Sequence, residues 1–252
     1  MHTVFQRFYG GDSMTIDLHT HTIASGHGTA DTITDLAREA AACQMSLLGI
    51  CDHAPAMAGA ASVSYFRSLP RCSRKRFGVS LLFGAELNIL TEAGDVDLED
   101  SVLEQLDYAV ISLHSPLFRR QSAAGNTNAF IHAMRHPNVT IIGHPDDDRF
   151  PVIPDDLITA ARKFHVLVEL NNSSLSPDGY RGDAAKTDRL LLQCCRDHQV
   201  PILIGSDSHG CSHIGDDRYA RELIFQTGFP PELIANDNPK LLASYIRSEI
   251  LL

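Results

Sequence analysis

The sequence predicts an α/β fold in which a parallel sheet closes into a (β/α)7 barrel. Seven short apolar stretches have the length of strands, near residues 15–18, 47–51, 80–85, 108–113, 140–143, 166–170 and 202–205. Between them, apolar residues spaced every three to four positions indicate helices at 32–44, about 126–135, 155–164, 184–197 and 216–226. Strands that alternate with helices over 252 residues favour a parallel sheet, and closure is its economical form.

Local signals support several of these elements and set the domain limits. Asp31 or Thr32 can cap the first helix, and Pro154 lies where helices commonly begin. The stretch 89–97 predicts a hairpin-like excursion that turns at Gly94. Residues 1–14 contain no apolar run of signal-peptide type, so they predict an N-terminal extension ahead of a single domain over 15–252.

Polar side chains fall at or just beyond the carboxyl end of each predicted strand. They are His19, His53, Glu86, His114, His144, Asn171 and Asp207. In a barrel these ends converge on one mouth, where such enzymes place their active sites. An open, doubly wound sheet would bring only two or three of them together. The pattern therefore favours the barrel and predicts a metal-dependent enzyme with its site at the carboxyl ends of the strands.

The candidate metal ligands are imidazoles and carboxylates, the groups that hold zinc and related ions. His19 and His21 are two residues apart on an extended segment, so both point to one face. A single pair of this kind is weak evidence, and a lone histidine is usually a core or surface residue. The joint set of nine is strong evidence for a multinuclear site: His19, His21, His27, His53, Glu86, His114, His144, Asp207 and His209.

Composition excludes some classes of partner. A formal net charge of −10 disfavours binding to long nucleic acid, which requires a basic face. No apolar run approaches the length that spans a membrane. The six cysteines have no C-x-x-C spacing, which indicates reduced thiols and a cytoplasmic protein. Homo-oligomerisation is left open.

Four motifs resemble those of the PHP superfamily, named for polymerase and histidinol phosphatase. They are Asp17-Leu18-His19-Thr20-His21-Thr22, Cys51-Asp52-His53, Gly84-Ala85-Glu86-Leu87-Asn88 and Gly205-Ser206-Asp207-Ser208-His209. The pattern is most similar to the stand-alone YcdX-type phosphatases, over about residues 15–245. Cys51 departs from it, since a Thr commonly precedes the Asp-His pair in this superfamily.

The resemblance implies a distorted, TIM-like (β/α)7 barrel with three divalent transition-metal ions, zinc first, with manganese or iron as alternatives. It assigns the first ion to His19, His21, Glu86 and Asp207. Glu86 would bridge to a second ion held by His114 and His144, and the third ion would be held by His27, His53 and His209.

The expected activity is hydrolysis of a small phosphomonoester by a hydroxide that bridges two ions. Glu86 and Asp207 are the expected catalytic carboxylates, and the candidate proton donors to the leaving group are a metal-bound water, Asp17 and Asp52. Asn171 and Asn172 are candidate contacts to the substrate or to the ligands.

Three alternatives stay open at this point. The same site could cleave phosphodiesters in nucleotides or short oligonucleotides. An amidohydrolase-type C–N hydrolase also begins with His-x-His, but it commonly needs a strand-end lysine that these strands lack. A non-catalytic metal-binding interaction domain would be marked by lost ligands, and none is lost.

Two charged stretches have no assigned role. The basic run 67–76 reads as a solvated face or, above the mouth, as an attractor of an anionic substrate. Asp146, Asp147 and Asp148 read as a solvated turn.

Overall fold

The computed structural model describes residues 15–246 and contains the expected parallel barrel. Seven strands pair side by side in the order in which they occur, all parallel. They are β1 (Ile16–Asp17), β3 (Leu47–Ile50), β5 (Val79–Asn88), β6 (Tyr108–Ser112), β7 (Val139–Ile142), β8 (Leu167–Asn171) and β9 (Ile202–Gly205). Each coincides with a predicted strand, so the fold prediction is confirmed. The predicted extension over 1–14 lies outside the described residues.

Helices cover the outside of the barrel. They are α1 (Ile33–Ala42), α2 (Val63–Ser68), α3 (Asp100–Leu103), α4 (Ala123–Ala133), α5 (Pro154–Phe164), α6 (Ala184–His198), α7 (Arg218–Thr227) and α8 (Pro239–Tyr245). Thr32 begins α1 with a capping box, and Pro154 begins α5, as the sequence predicts. Within the described range no helix is both long and apolar enough to cross a bilayer.

Two short strands and one side chain close the barrel between its first and last strands. β2 (Thr20–His21) pairs in parallel with β10 (Ser208–His209), so His21 lies opposite His209. Nearer the amino ends, the Asn236 amide donates to the carbonyls of Ile16 and Ile204, at 3.0 and 2.9 Å, and its oxygen accepts from the Ile204 N–H at 2.7 Å. The Asn236 side chain therefore links β1 to β9, which do not form backbone hydrogen bonds with each other.

Apolar packing is divided between the inside and the outside of the barrel. The larger core lies between the strands and the helices. The smaller one fills the barrel interior, where the fully buried Tyr108 donates its hydroxyl to the Leu18 carbonyl at 2.7 Å. A Cβ on Gly49 or Gly84 would lie within 3 Å of the Tyr108 side chain. The interior below the mouth is thus filled, and the polar groups occupy only its upper end.

Part of the basic run 67–76 does not lie above the mouth, which was one of its two interpretations. Lys75 and Arg76 form β4, antiparallel to the amino-terminal end of β5. Arg74 pairs with Asp107, which immediately precedes β6. These three residues therefore lie at the end of the barrel opposite the mouth, where they cannot attract a substrate. The excursion at 89–97 is confirmed, with Ile89 paired antiparallel to Val96 and a turn at Gly94.

Candidate metal centre

Eight of the nine candidate ligands are brought together at the carboxyl ends of the strands, and Glu86 lies at their centre. Glu86 is fully buried on β5, and its Oε2 lies 2.6 Å from His53 Nδ1. Its Oε1 lies 2.9 Å from His144 Nε2 and 3.3 Å from His114 Nε2. These contacts join residues that follow β3, β6 and β7, so one carboxylate on β5 connects strand ends on both of its sides.

The other side of Glu86 faces the seam between the first and last strands. His19 Nε2 is 3.5 Å from Glu86 Oε1 and 3.7 Å from Asp207 Oδ1. His21 Nε2 is 3.6 Å from Glu86 Oε2 and 3.3 Å from Asp207 Oδ1. The His-x-His pair and the two carboxylates therefore surround one small volume, as the spacing predicts.

The remaining histidines are stacked at the outer edge. The ring of His209 lies 4.2 Å from that of His21 and 5.6 Å from that of His53, measured between centroids. His27 is the exposed member, with its ring 4.9 Å from His53 and 5.0 Å from His209.

Three groups of side chains place their ligand atoms within 4.8 Å of one another: His19, His21 and Asp207; His21, His53 and His209; and His53, Glu86 and His114. His27 and His144 belong to none of them, although His144 contacts Glu86 directly.

The buried polar atoms of this cluster fit bound cations. The Nε2 atoms of His19, His21 and His209 are buried without hydrogen-bond partners. His53 Nδ1 and Glu86 Oε2 are also buried, and although they lie 2.6 Å apart they are not aligned as a hydrogen bond. Orphaned polar atoms cost free energy when buried, so their convergence needs an explanation. Imidazole nitrogens and carboxylate oxygens at these separations are the donor set of zinc and other transition-metal ions.

Glu169 orients two of the ligands, and sequence reasoning missed it. It lies on β8, fully enclosed, and accepts from His19 Nδ1 at 2.6 Å and from the His144 backbone N–H at 2.7 Å. Strand alternation could have found it, because Asn171 was a candidate and Glu169 is two residues away on the same face. A Cβ on Gly205 would lie 1.9 Å from Glu169 Oε1, so only glycine leaves this carboxylate its space.

Arg181 is a second residue that the sequence did not reveal. It is 3 % exposed and donates to Asp207 Oδ2 at 2.8 Å. Asn171 also donates to Asp207 Oδ2, at 3.3 Å, and accepts from Arg181 at 3.3 Å. Arg181 lies in the irregular segment between β8 and α6, where no periodic pattern marks it. Together these groups fix one oxygen of Asp207 and leave Oδ1 toward the histidines.

On the opposite wall, Asp52 reaches His21 through a hydroxyl. The Ser25 Oγ donates to Asp52 Oδ1 at 2.8 Å and lies 2.9 Å from His21 Nδ1. Because the Ser25 hydroxyl donates its hydrogen to Asp52, it accepts a hydrogen bond from the Nδ1–H of His21. The Nε2 atom of His21 then carries no hydrogen and can bind a metal ion. Tyr65 on α2 and Thr22 also donate to Asp52, at 2.6 and 2.9 Å from Oδ2.

The other candidate residues lie around this cluster. Asp17 is buried beneath it and accepts from the backbone N–H groups of His19, Ser206 and Gly215. Asn172 accepts from the N–H groups of Tyr219 and Ala220 at the start of α7, so its side chain faces that helix.

The prediction that residues 146–148 form a solvated turn is wrong for two of the three aspartates. Asp146 and Asp147 are 1 % and 3 % exposed. Arg149 forms a two-pronged ion pair with Asp147. Neither carboxylate oxygen of Asp146 has a hydrogen-bond partner within the described residues, although the positive charge of Arg181 favours its ionisation. Desolvation by burial still raises the pKa of Asp146 to about 6.

The charges of the cluster are strongly coupled. Burial opposes ionisation of Glu86, but His114, His53 and His19 hold its pKa well below the usual value. Burial and the neighbouring His209 and His53 lower the pKa of His21 well below its usual value. A carboxylate that stays ionised and an imidazole that stays neutral are the forms that bind metal.

Comparison with known proteins identifies the family. The family model of the PHP domain matches residues 17–222, and the chain therefore belongs to the PHP family. A probable phosphatase of Clostridium novyi is 34% identical over 234 residues, covering 93% of this chain and 95% of its own. One from Thermoanaerobacter pseudethanolicus is 34% identical, covering 94% and 96%.

Solved structures show the same fold. A histidinol phosphate phosphatase from Lactococcus lactis, complexed with zinc, L-histidinol and phosphate, superimposes with a TM-score of 0.63 at 16% identity, covering 86% of this chain and 95% of its own. A putative histidinol phosphatase from Listeria monocytogenes gives 0.55 at 18% identity, covering 80% and 97%. At these identities the likeness concerns the barrel alone.

Proposed function

We propose that this protein, a PHP-family hydrolase of phosphate esters, cleaves small phosphomonoesters at a trinuclear metal centre. The observation that carries the proposal is the convergence of orphaned imidazole and carboxylate atoms around Glu86. The names of the similar proteins, probable phosphatases, agree with the reaction class. The number of ions, their identity and the substrate are parts of the proposal.

The proposed ion sites use the nine candidate ligands. His19, His21, Glu86 and Asp207 would hold the first ion, and the Nε2 atom of each histidine lies 3.3–3.7 Å from an oxygen of each carboxylate. Glu86 with His114 and His144 would hold the second. His27, His53 and His209 would hold the third, once the exposed His27 turns toward the other two. Zinc suits this donor set, and manganese or iron would also fit it.

Bound divalent ions would supply a water ionised near neutral pH and positive charge for the phosphate oxygens. The protein's own part is to keep the ligands fixed. Glu169 contacts Nδ1 of His19, and Ser25 contacts Nδ1 of His21, so each partner directs the Nε2 atom of its histidine toward the ion site. Arg181 orients Asp207 and places a guanidinium beside the mouth.

The sequence leaves three candidate donors of the proton to the leaving group: a water of the metal centre, Asp17 and Asp52. We propose that the two aspartates position the strand ends, because each carboxylate is enclosed and accepts several hydrogen bonds from the protein. Water at the mouth is then the proposed donor. Asp17→Asn and Asp52→Asn, assayed with leaving groups of different basicity, would reveal a true proton donor as a loss confined to the most basic leaving groups.

The decisive experiment combines metal analysis with matched substrates. Protein purified without chelator should contain about three transition-metal ions per chain, because nine ligands with one shared give four, three and three. Its kcat/KM should be higher for p-nitrophenyl phosphate than for bis-p-nitrophenyl phosphate, since a monoester offers three terminal oxygens to the cations. One ion or fewer after full reconstitution contradicts the trinuclear centre. A preference for the diester would favour the phosphodiesterase alternative.

The expected partner is a small phosphorylated molecule, and the cytoplasm is the proposed location. All six cysteines are free, as reduced thiols would be. Sedimentation of the purified protein would determine whether it forms a homo-oligomer.

A further inference from the structure

We propose that Arg149 and Tyr180 form a subsite that selects phosphomonoesters whose alcohol part carries a negative charge. This inference rests on the proposed phosphatase function and adds a substrate class to it. Its basis is an exposed aromatic ring and a fixed guanidinium group, both connected by contacts to the candidate ligand Asp207.

The two residues belong to the rim of the mouth. Tyr180 is 65% exposed, and its ring centroid lies 4.9 Å from Arg149 Cζ and 5.0 Å from Arg181 Cζ. Arg181 in turn donates to Asp207 Oδ2 at 2.8 Å. A continuous line of contacts therefore runs from a candidate metal ligand out to solvent. A substrate group that extends from the metal centre along this line would meet Tyr180 and then Arg149.

Arg149 is held in one orientation from beneath. Its Nε lies 2.9 Å from Asp147 Oδ1, and one Nη donates to Asp147 Oδ2 at 2.6 Å. Asp147 is buried, and its backbone N–H donates to the carbonyl of His144 at 3.4 Å. The guanidinium is therefore anchored to the strand end that supplies His144. Its side chain remains 40% exposed, and its other Nη makes no hydrogen bond within residues 15–246.

Among the described residues, the acidic side chains near Arg149 do not bind the outer edge of its guanidinium group, the edge that carries the unpaired Nη. Asp147 binds the inner edge, as described. Asp148 accepts from the Asp183 N–H at 2.7 Å and from Thr187, so it faces the start of α6. Asp178 is exposed and makes no ion pair within the described part of the chain. An outward guanidinium edge of fixed plane is suited to a carboxylate or a second phosphate, which it can bind through two parallel hydrogen bonds.

The same geometry disfavours a cationic alcohol. An ammonium group at this position would face the free edge of Arg149 without a carboxylate to bind, since Asp147 is already engaged. Because Asp147 balances much of the charge and the site is half-exposed, the selectivity should be modest, about three- to tenfold.

The test uses three aryl phosphates that differ only in a remote charge: phenyl phosphate, 4-(carboxymethyl)phenyl phosphate and 4-(aminomethyl)phenyl phosphate. The methylene separates the charge from the leaving oxygen, so intrinsic reactivity is similar. We expect kcat/KM of the metal-loaded protein to fall in the order anionic, neutral, cationic, and the spread to narrow at high salt. Hydrolysis of phenyl phosphate tests the phosphatase function by itself, whereas the ratios test the subsite.

Two variants and a control assign the effect. Arg149→Gln should bring the anionic-to-cationic ratio close to one, and Arg149→Lys, which keeps the charge but loses the planar fork, should retain part of it. Arg162→Gln alters an exposed arginine on α5 and should leave the ratio unchanged. Equal rates for the three substrates in the unaltered protein, a preference for the cation, or a ratio that survives Arg149→Gln would each overturn the proposal.

Discussion

The two walls of the candidate metal centre orient neighbouring histidines by different means. On the β8 wall, the carboxylate of Glu169 contacts His19 directly at 2.6 Å. On the β3 wall, Asp52 acts on His21 through the hydroxyl of Ser25. Burial opposes protonation of both imidazoles, yet the carboxylates around His19 raise its pKa well above the usual value, whereas that of His21 is lowered.

This difference indicates that the β8 wall supplies negative charge to its histidine, whereas the β3 wall mainly fixes the orientation of its histidine. A buried carboxylate in contact with an imidazole strengthens it as an electron donor to a metal, as outer carboxylates commonly do. The Ser25 hydroxyl between Asp52 and His21 fixes the orientation of the imidazole, but it keeps the charge of the carboxylate at a distance from the ring. The β8 wall should therefore matter more for metal affinity than the β3 wall, and four substitutions test this order.

The largest effect is expected for Glu86, the carboxylate at the centre of the candidate ligands. Glu86→Ala removes the carboxylate that contacts five of the histidines. We expect kcat to fall by at least ~10³-fold, comparable with loss of a principal electrostatic element. His27→Ala, at the exposed edge, should cost much less. Near-normal turnover of Glu86→Ala with full metal content would contradict the proposed centre.

The β8 wall is tested by Glu169→Gln, which keeps the shape of the side chain and removes its charge. Metal affinity, measured by competition with a chelator, should fall about 10–100-fold because His19 loses its anionic partner. Glu104→Gln, on an exposed side chain outside the site, is the matched control. An unchanged affinity would show that charge on this wall is not needed.

The β3 wall is tested by Ser25→Ala. His21 then loses the acceptor of its Nδ1–H, while Asp52 keeps Thr22 and Tyr65 as donors. We expect affinity to fall by about tenfold, the lower end of the range for such partners. The exposed Ser101→Ala serves as the control. If Ser25→Ala cost more than Glu169→Gln under the same conditions, the order of the two walls would be reversed.

The smallest effect is expected one contact further out. Tyr65→Phe removes the hydroxyl that donates to Asp52 at 2.6 Å. The free energy of unfolding should fall by about 1 kcal/mol, the usual net value of one hydrogen bond, and denaturant titration would measure it. Tyr219→Phe, whose hydroxyl makes no hydrogen bond within residues 15–246, should be neutral. A large loss of metal affinity in Tyr65→Phe would mean that the hydroxyl relay transmits more than orientation.

The sequence predicts the strands and the ligands well because both depend on short-range patterns. An apolar run followed by His or Glu marks a strand end, and His19, Glu86 and His144 were found in this way. Period-two alternation places Glu169 on the same face as Asn171, but the sequence marks only Asn171 as lying at the end of that strand. What the sequence could not supply is the pairing of residues across loops.

Arg181 is the clearest example of such a pairing. It reaches Asp207 from an irregular segment, and no local pattern predicts where that segment folds back. The burial of Asp146 and Asp147 escaped prediction for the same reason. Three consecutive aspartates are expected to be solvated unless the fold that encloses Asp146 and the ion pair between Arg149 and Asp147 are known.

The closure of the barrel has a consequence for when the centre can exist. His21 and His209 face each other across the paired strands β2 and β10, which come from opposite ends of the described chain. During synthesis the first of these histidines leaves the ribosome long before the second. The centre therefore cannot be completed until almost the whole barrel has been made. A cation bound there would join the first and last strands of the barrel, so its binding would favour the closed barrel over any state in which these strands have separated.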